Sequence, residues 1–259
     1  MGGDRLRTRL SVRHSLRLEA ATVLGLYGVY ELARGLVVGD AAEAVRHADR
    51  LVAVERSLHL FREGEVQHIA RLLPGVSNVL DVAYLALHLT VTVAVLLWLH
   101  RRRSVAFPFA RTALLLASGL ALVGFLVYPA APPRLAGVGI VDTVSNGDVN
   151  LNTGLVSSLY NPYAAIPSMH VGYALIVAAG LFHHSSRPLV RVLAALYPVL
   201  VLLVVVATGN HFFVDAVAGA LVAGLAAAAA ALLTRRASNA VTELPARAEP
   251  QAAFEELAA

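Results

Sequence analysis

Long apolar runs separated by short polar breaks dominate the chain. Six of these runs approach the ~20 residues a helix needs to cross the hydrocarbon core of a bilayer. They predict transmembrane helices over about 18–38, 76–99, 109–128, 168–182, 189–207 and 211–233. The breaks are of the expected kind: the second run ends in His100-Arg101-Arg102-Arg103, the third at Pro129, and the fourth in His183-His184-Ser185-Ser186-Arg187-Pro188. Residues 40–73 follow a different pattern. Ala44, Val45, Ala48, Leu51, Val52, Glu55, Leu58 and His59 recur at helical spacing, with charges on the other side, and the passage stops at Pro74-Gly75. Too polar to span, it reads as an interfacial amphipathic helical segment packed against the bundle between helices one and two. The expected fold class is all-α: a polytopic membrane protein with six transmembrane helices.

Composition agrees. Of 259 residues, 58% are hydrophobic and the mean hydropathy is +0.67, beyond what soluble domains show. With no cysteine there is no disulfide framework and no thiolate metal site. The net charge of +4 comes from arginines beside the hydrophobic segments, which points to membrane topology and not to nucleic acid. Residues 1–17 form a basic tail with Arg5, Arg7, Arg9, Arg13 and Arg17. The apolar run after it contains Glu31 and Arg34 and lacks a small-residue cleavage site, so it reads as a retained helix and not a signal peptide. After Arg235-Arg236, residues 236–259 are rich in Ala, Glu and Pro and are expected to be a disordered cytoplasmic tail.

The arginines orient the bundle. With both termini in the cytoplasm of a cell-membrane protein, Arg101–Arg103, Arg187, Arg191, Arg235 and Arg236 all fall inside, leaving Arg134 as the one basic residue in the outer loop between helices three and four. The five arginines of 40–73 are discordant, a deviation that amphipathic surface segments tolerate. This arrangement brings Arg134, Ser168, His170, His211 and Asp215 to one membrane depth on the extracytoplasmic side.

His211 and Asp215 are spaced i, i+4, so on a helix they share a face, and the carboxylate fixes the imidazole tautomer. The other ring nitrogen then presents a lone pair as a nucleophile. Pro167-Ser168 suits a helix start, whose free N–H groups favour an anion such as phosphate. His170 lies in that first turn, placed to act as general acid to a leaving oxygen. Arg134, Ser168 and the backbone around Gly209 and Asn210 are candidate phosphate-holding groups. Glu31 and Arg34, three residues apart, read first as a structural ion pair and second as part of a polar substrate pocket. His47, His59 and His68 have no ligand spacing and read as surface histidines. Two other functions use the same residues: a metal site with His170, His211 and Asp215 as a 2-His-1-carboxylate face, and a proton-relaying transporter. The transporter is disfavoured because neither internal repeats nor broken helices are evident.

The passages Asn161-Pro162-Tyr163-Ala164-Ala165-Ile166-Pro167-Ser168-Met169-His170 and Thr208-Gly209-Asn210-His211-Phe212-Phe213-Val214-Asp215-Ala216 resemble signature motifs of the type 2 phosphatidic acid phosphatase superfamily. Together with Tyr128-Pro129-Ala130-Ala131-Pro132-Pro133-Arg134, they look most like its inositol phosphorylceramide synthase (aureobasidin-resistance) branch. The resemblance covers roughly 18–235 and implies His211 as nucleophile, His170 as general acid and Asp215 as the group that orients His211. It implies a membrane lipid substrate and neither cofactor nor metal. The chain departs from the superfamily's phosphatases in two places. Val204 and Val205 stand where a Ser-Arg pair is typical, and Val127 stands where the first motif carries a lysine, with Leu135 after Arg134 in place of proline. The synthases of the resembled branch also lack that third-motif arginine, so the resemblance tilts towards headgroup transfer between lipids. Plain phosphate hydrolysis, with water as acceptor, is the alternative.

Overall fold

The computed structural model describes residues 16–37, 39–102, 106–145 and 161–243, which form eight α-helices. These are α1 (Leu16–Leu36), α2 (Ala41–Ser57), α3 (Glu63–Leu72), α4 (Val76–Arg102), α5 (Ala106–Val127), α6 (Met169–His184), α7 (Pro188–Ala207) and α8 (Phe213–Glu243). Most of the basic N-terminal tail, part of the outer loop (146–160) and the last sixteen positions of the C-terminal tail (244–259) lie outside the described residues.

By length and composition α4, α5, α7 and α8 qualify as membrane spans. The six expected spans are therefore four on this measure. α1 carries Glu19, Glu31 and Arg34, and α6 has 16 residues, so neither qualifies alone. Paired with α2 across a 100° bend, α1 becomes a fifth candidate.

The predicted amphipathic segment is two helices. Asp40 caps the first, its side chain accepting the Glu43 N–H at 2.9 Å. α2 ends where His59 takes a positive φ of 56°, and α3 begins after the turn. The last helix also differs from expectation: it starts at Phe213, not 211, and continues to Glu243.

α6 lies at the centre, packed against α4, α5, α7 and α8. The sequence explains how closely these helices approach. Ala110, Ala113, Ala117 and Ala121 recur along the buried face of α5, and Ala223, Ala226 and Ala230 along α8, which packs on it. Small side chains let helix backbones come together where lipid supplies no hydrophobic drive. Gly219 of α8 marks the tightest point: a Cβ there would overlap the Ser168 carbonyl at the start of α6. Outward faces are apolar as well. On α7, Leu189, Leu193, Leu196, Leu200 and Leu203 are exposed, while Ala194, Tyr197, Val201 and Val204 point inward, as expected for a helix bathed in hydrocarbon.

The long helices alternate in direction. The C-terminal ends of α1, α5 and α7 and the N-terminal ends of α4, α6 and α8 gather at one end of the bundle, and α2 and α3 lie across that same end.

Candidate active site

Backbone hydrogen bonds stitch the three polar passages together. The Ala130 N–H donates to Tyr163 (2.9 Å), making a parallel bridge between Ala130 and Ala164. The Arg134 N–H donates to Gly209 (3.0 Å), and the Ser168 N–H to Asp215 (2.9 Å). Each passage is thereby held to another by its own main chain, so the side chains between them are placed to within hydrogen-bond tolerance.

α7 ends in a Schellman turn. The Gly209 N–H donates to Val206 (2.9 Å) and the Asn210 N–H to Val205 (3.0 Å), with Gly209 at φ +72°. Glycine is required there twice over, by the left-handed backbone and because a Cβ would lie 2.8 Å from Ile140 Cγ2. The Val205 carbonyl also accepts the His211 N–H at 3.2 Å. The two valines that stand in place of Ser-Arg are buried in α7, and their carbonyls terminate the helix that presents His211.

His211 sits in the turn before α8, not on the helix as its spacing to Asp215 suggested. Asp215, fully buried three residues past the helix cap, accepts the Phe212 N–H through Oδ2 at 2.9 Å, the reach-back half of a capping box. The same Oδ2 lies 3.4 Å from His211 Nδ1. That contact is electrostatic and longer than an N–H···O hydrogen bond, and such bonds tighten in enzymes once substrate is bound. It leaves Nε2 as the nitrogen away from the carboxylate.

His170, in the first turn of α6, has its ring centroid 5.5 Å from that of His211. Both line one cavity, with Asn210, Asn161, Tyr84, His88, Met169, Tyr173 and the α1 residues Tyr27, Tyr30, Glu31 and Arg34. Glu31 and Arg34 pair at 3.4 Å, as the first reading expected, and the pair also lines the cavity. Asn161 holds the end of α1 in place, its side-chain amide donating to the Arg34 and Val37 carbonyls.

The other predicted residues surround the cavity without lining it. Arg134 is buried, donating from Nε to Asn210 Oδ1 (2.9 Å) and from a terminal nitrogen to Asp142 Oδ2 (2.7 Å). It therefore fixes Asn210, which does line the cavity. Ser168 is fully buried at the α6–α8 contact, and its hydroxyl has no hydrogen-bond partner among the described residues. Gly209 shapes the turn: its N–H and carbonyl are both engaged, so it offers no free donor. His170, His211 and Asp215 do not converge as metal ligands, and no group of three such side chains among the described residues does.

Two residues on α4 were not foreseen from the sequence. Tyr84 stacks on His170 with ring centroids 4.6 Å apart, and His88 meets it edge-on at 4.2 Å. Their spacing, i and i+4 inside an apolar run, was the available signal that one face of this helix looks into a polar cavity. His47, expected on the surface, is buried beneath the site, stacked on Tyr128 and bonded through Nδ1 to the Pro129 carbonyl at 2.7 Å.

A family model described as "PAP2 superfamily" matches residues 49–229, well over half of the chain. No curated protein and no solved structure matches.

Proposed function

The chain belongs to the PAP2 superfamily, and on that footing we propose that it is a membrane enzyme that takes a phosphoryl group from a lipid-linked phosphate onto His211. The observation that carries this reading is the pair of histidines in one cavity, with a buried aspartate behind only one of them. His211 Nε2 attacks phosphorus as the bond to the lipid oxygen breaks, and that oxygen takes a proton from His170. In the second half-reaction an acceptor hydroxyl gives its proton to His170 and attacks the phosphohistidine, releasing His211. Arg34 and Asn210 face the cavity as phosphate-binding groups, and Arg134 acts through Asn210.

A lipid substrate is supported by a second cavity next to the first. Tyr27 and Tyr173 line both, and beyond them the walls are mostly apolar, formed by Val23, Leu24, Leu89, Val93, Leu96 and Leu114, with Thr92, Ser118 and Arg111 among them. A phosphate held between the histidines has space for its hydrocarbon chain alongside, between α1, α4 and α5. We place the site on the extracytoplasmic side, with α1 and α6 completing six membrane-crossing helices, on the strength of the arginine distribution.

Headgroup transfer is the finer reading. It is supported by the valines at 204 and 205, which the resembled synthase branch shares in lacking a cation there, and by the polar wall that α1 adds opposite the histidines. The test incubates purified protein with phosphate-labelled phosphatidic acid or phosphatidylinositol, each with and without ceramide. Transfer predicts label on ceramide from phosphatidylinositol; hydrolysis predicts free phosphate from phosphatidic acid whether or not ceramide is present. Neither product in either mixture would refute the reading.

A further inference from the structure

α2 and α3 each send one buried carboxyl group to the start of α8. The Val214 N–H donates to Glu55 Oε1 at 2.7 Å and the Phe213 N–H to Glu63 Oε1 at 3.2 Å. The Phe212 N–H is already taken by Asp215. Three consecutive N–H groups at a helix start, which lack intrahelical partners, thus all end on carboxyl groups. Glu55 is 1% exposed and Glu63 is 0% exposed. Neither Oε2 has a donor among the described residues, and the two carboxyl groups are brought side by side because they receive adjacent N–H groups of one turn. Two carboxylates cannot hold that arrangement; a carboxyl–carboxylate pair sharing one proton can.

We propose that Glu55 and Glu63 are a proton-sharing pair of positioning residues, which fix the first turn of α8 and, through Asp215, the orientation of His211. The proposal rests on His211 being the nucleophile. It also explains why residues 40–73 pack where they do, since this segment braces the reacting helix. A single net charge on the pair suits the positive end of the α8 dipole, while a second would be buried against like charge. The titratable groups facing Glu55 are acids from both neighbouring helices, Glu63 of α3 and Asp215 of α8. Burial, foremost, and then the Glu63 contact push the Glu55 carboxyl up to about 9, with the Val214 N–H acting the other way. The pair is therefore intact below that pH; above it the second carboxylate forms, repels its neighbours and loosens the turn.

The test uses the full chain in detergent micelles with phosphatidic acid as probe, comparing wild type with Glu55→Gln and Glu55→Ala from neutral to alkaline pH. Glutamine keeps an acceptor for Val214 and a donor for Glu63 but has no proton to lose. Glu55→Gln is expected to turn over normally at neutral pH and to lose the alkaline limb of kcat. Glu55→Ala is expected to lower kcat at least about tenfold at unchanged KM. Two readouts need no turnover. The thermal midpoint of wild type falls as pH rises towards 9, because the folded carboxyl keeps a proton that the unfolded chain releases, and Glu55→Gln removes that portion of the fall. The His211 ring signal, assigned by NMR against His211→Ala, moves in Glu55→Ala and returns in Glu55→Gln. If Glu55→Gln retains the wild-type pH dependence, or if the His211 signal is the same in Glu55→Ala as in wild type, the proposal is wrong. Wild type inert towards phosphatidic acid would count against that substrate, while the thermal and NMR readouts still decide the pair.

Discussion

One carboxylate oxygen, Asp215 Oδ2, serves two neighbours, accepting the Phe212 N–H and facing His211 Nδ1. The first contact ties the side chain to the start of α8, and the second sets which imidazole nitrogen is free. Asp215→Asn keeps the size and one acceptor but supplies an amide where the tautomer needs an anion. By analogy with the serine-protease triad, kcat is expected to fall about 10³-fold or more with the helix start intact. Circular dichroism alongside the rate measurement separates this from misfolding, and near-normal kcat in a folded variant would refute the role. At this scale the sequence was informative in part. The spacing of His211 and Asp215 announced a partnership but implied a shared helical face, whereas the histidine precedes the helix and the aspartate reaches back. The sequence made Gly209 a phosphate-holding candidate, whereas its one N–H is spent on Val206 of α7 and its carbonyl accepts the Arg134 N–H.

Among the elements, the junction of α6 with α8 decides whether the two histidines meet. Gly219 lets the Ser168 carbonyl rest on the α8 backbone, and the Ser168 N–H to Asp215 bond locks that contact. Gly219→Ala is expected to push the helices apart and to cost about 1–3 kcal/mol by overpacking. The expected readouts are a lower thermal midpoint together with a lower kcat, since the shift separates His170 from His211. A variant with both values unchanged would show that the close approach is not needed. The long helices were legible because apolar runs of spanning length have few other interpretations. The amphipathic face of α2 was visible as well, but its partner was not. Glu55 reads from the sequence as one position on a helical stripe, and its destination, the Val214 N–H some 159 positions away, is set only when the bundle assembles. His88 differs: with Tyr84 four positions before it, it marked a polar face within an apolar run, but its partner, the His170 ring, is fixed only by the packing of α4 on α6.

Across the whole molecule, alternating helix directions bring six helix ends to one end of the bundle. A polar cavity there adjoins an apolar one, with Tyr27 and Tyr173 between them. Neither cavity is formed by consecutive residues, so neither was readable from the chain, although the arginine asymmetry had already grouped most of the site at one depth. Together these features make His211 the expected covalent carrier of phosphate. The most direct measurement is rapid quenching of the enzyme after mixing with phosphate-labelled lipid, followed by peptide mapping under alkaline conditions that preserve phosphohistidine. Label on the peptide containing His211, absent from His211→Ala, is the expected result. Label on a different residue, or undiminished turnover by His211→Ala, would contradict the account.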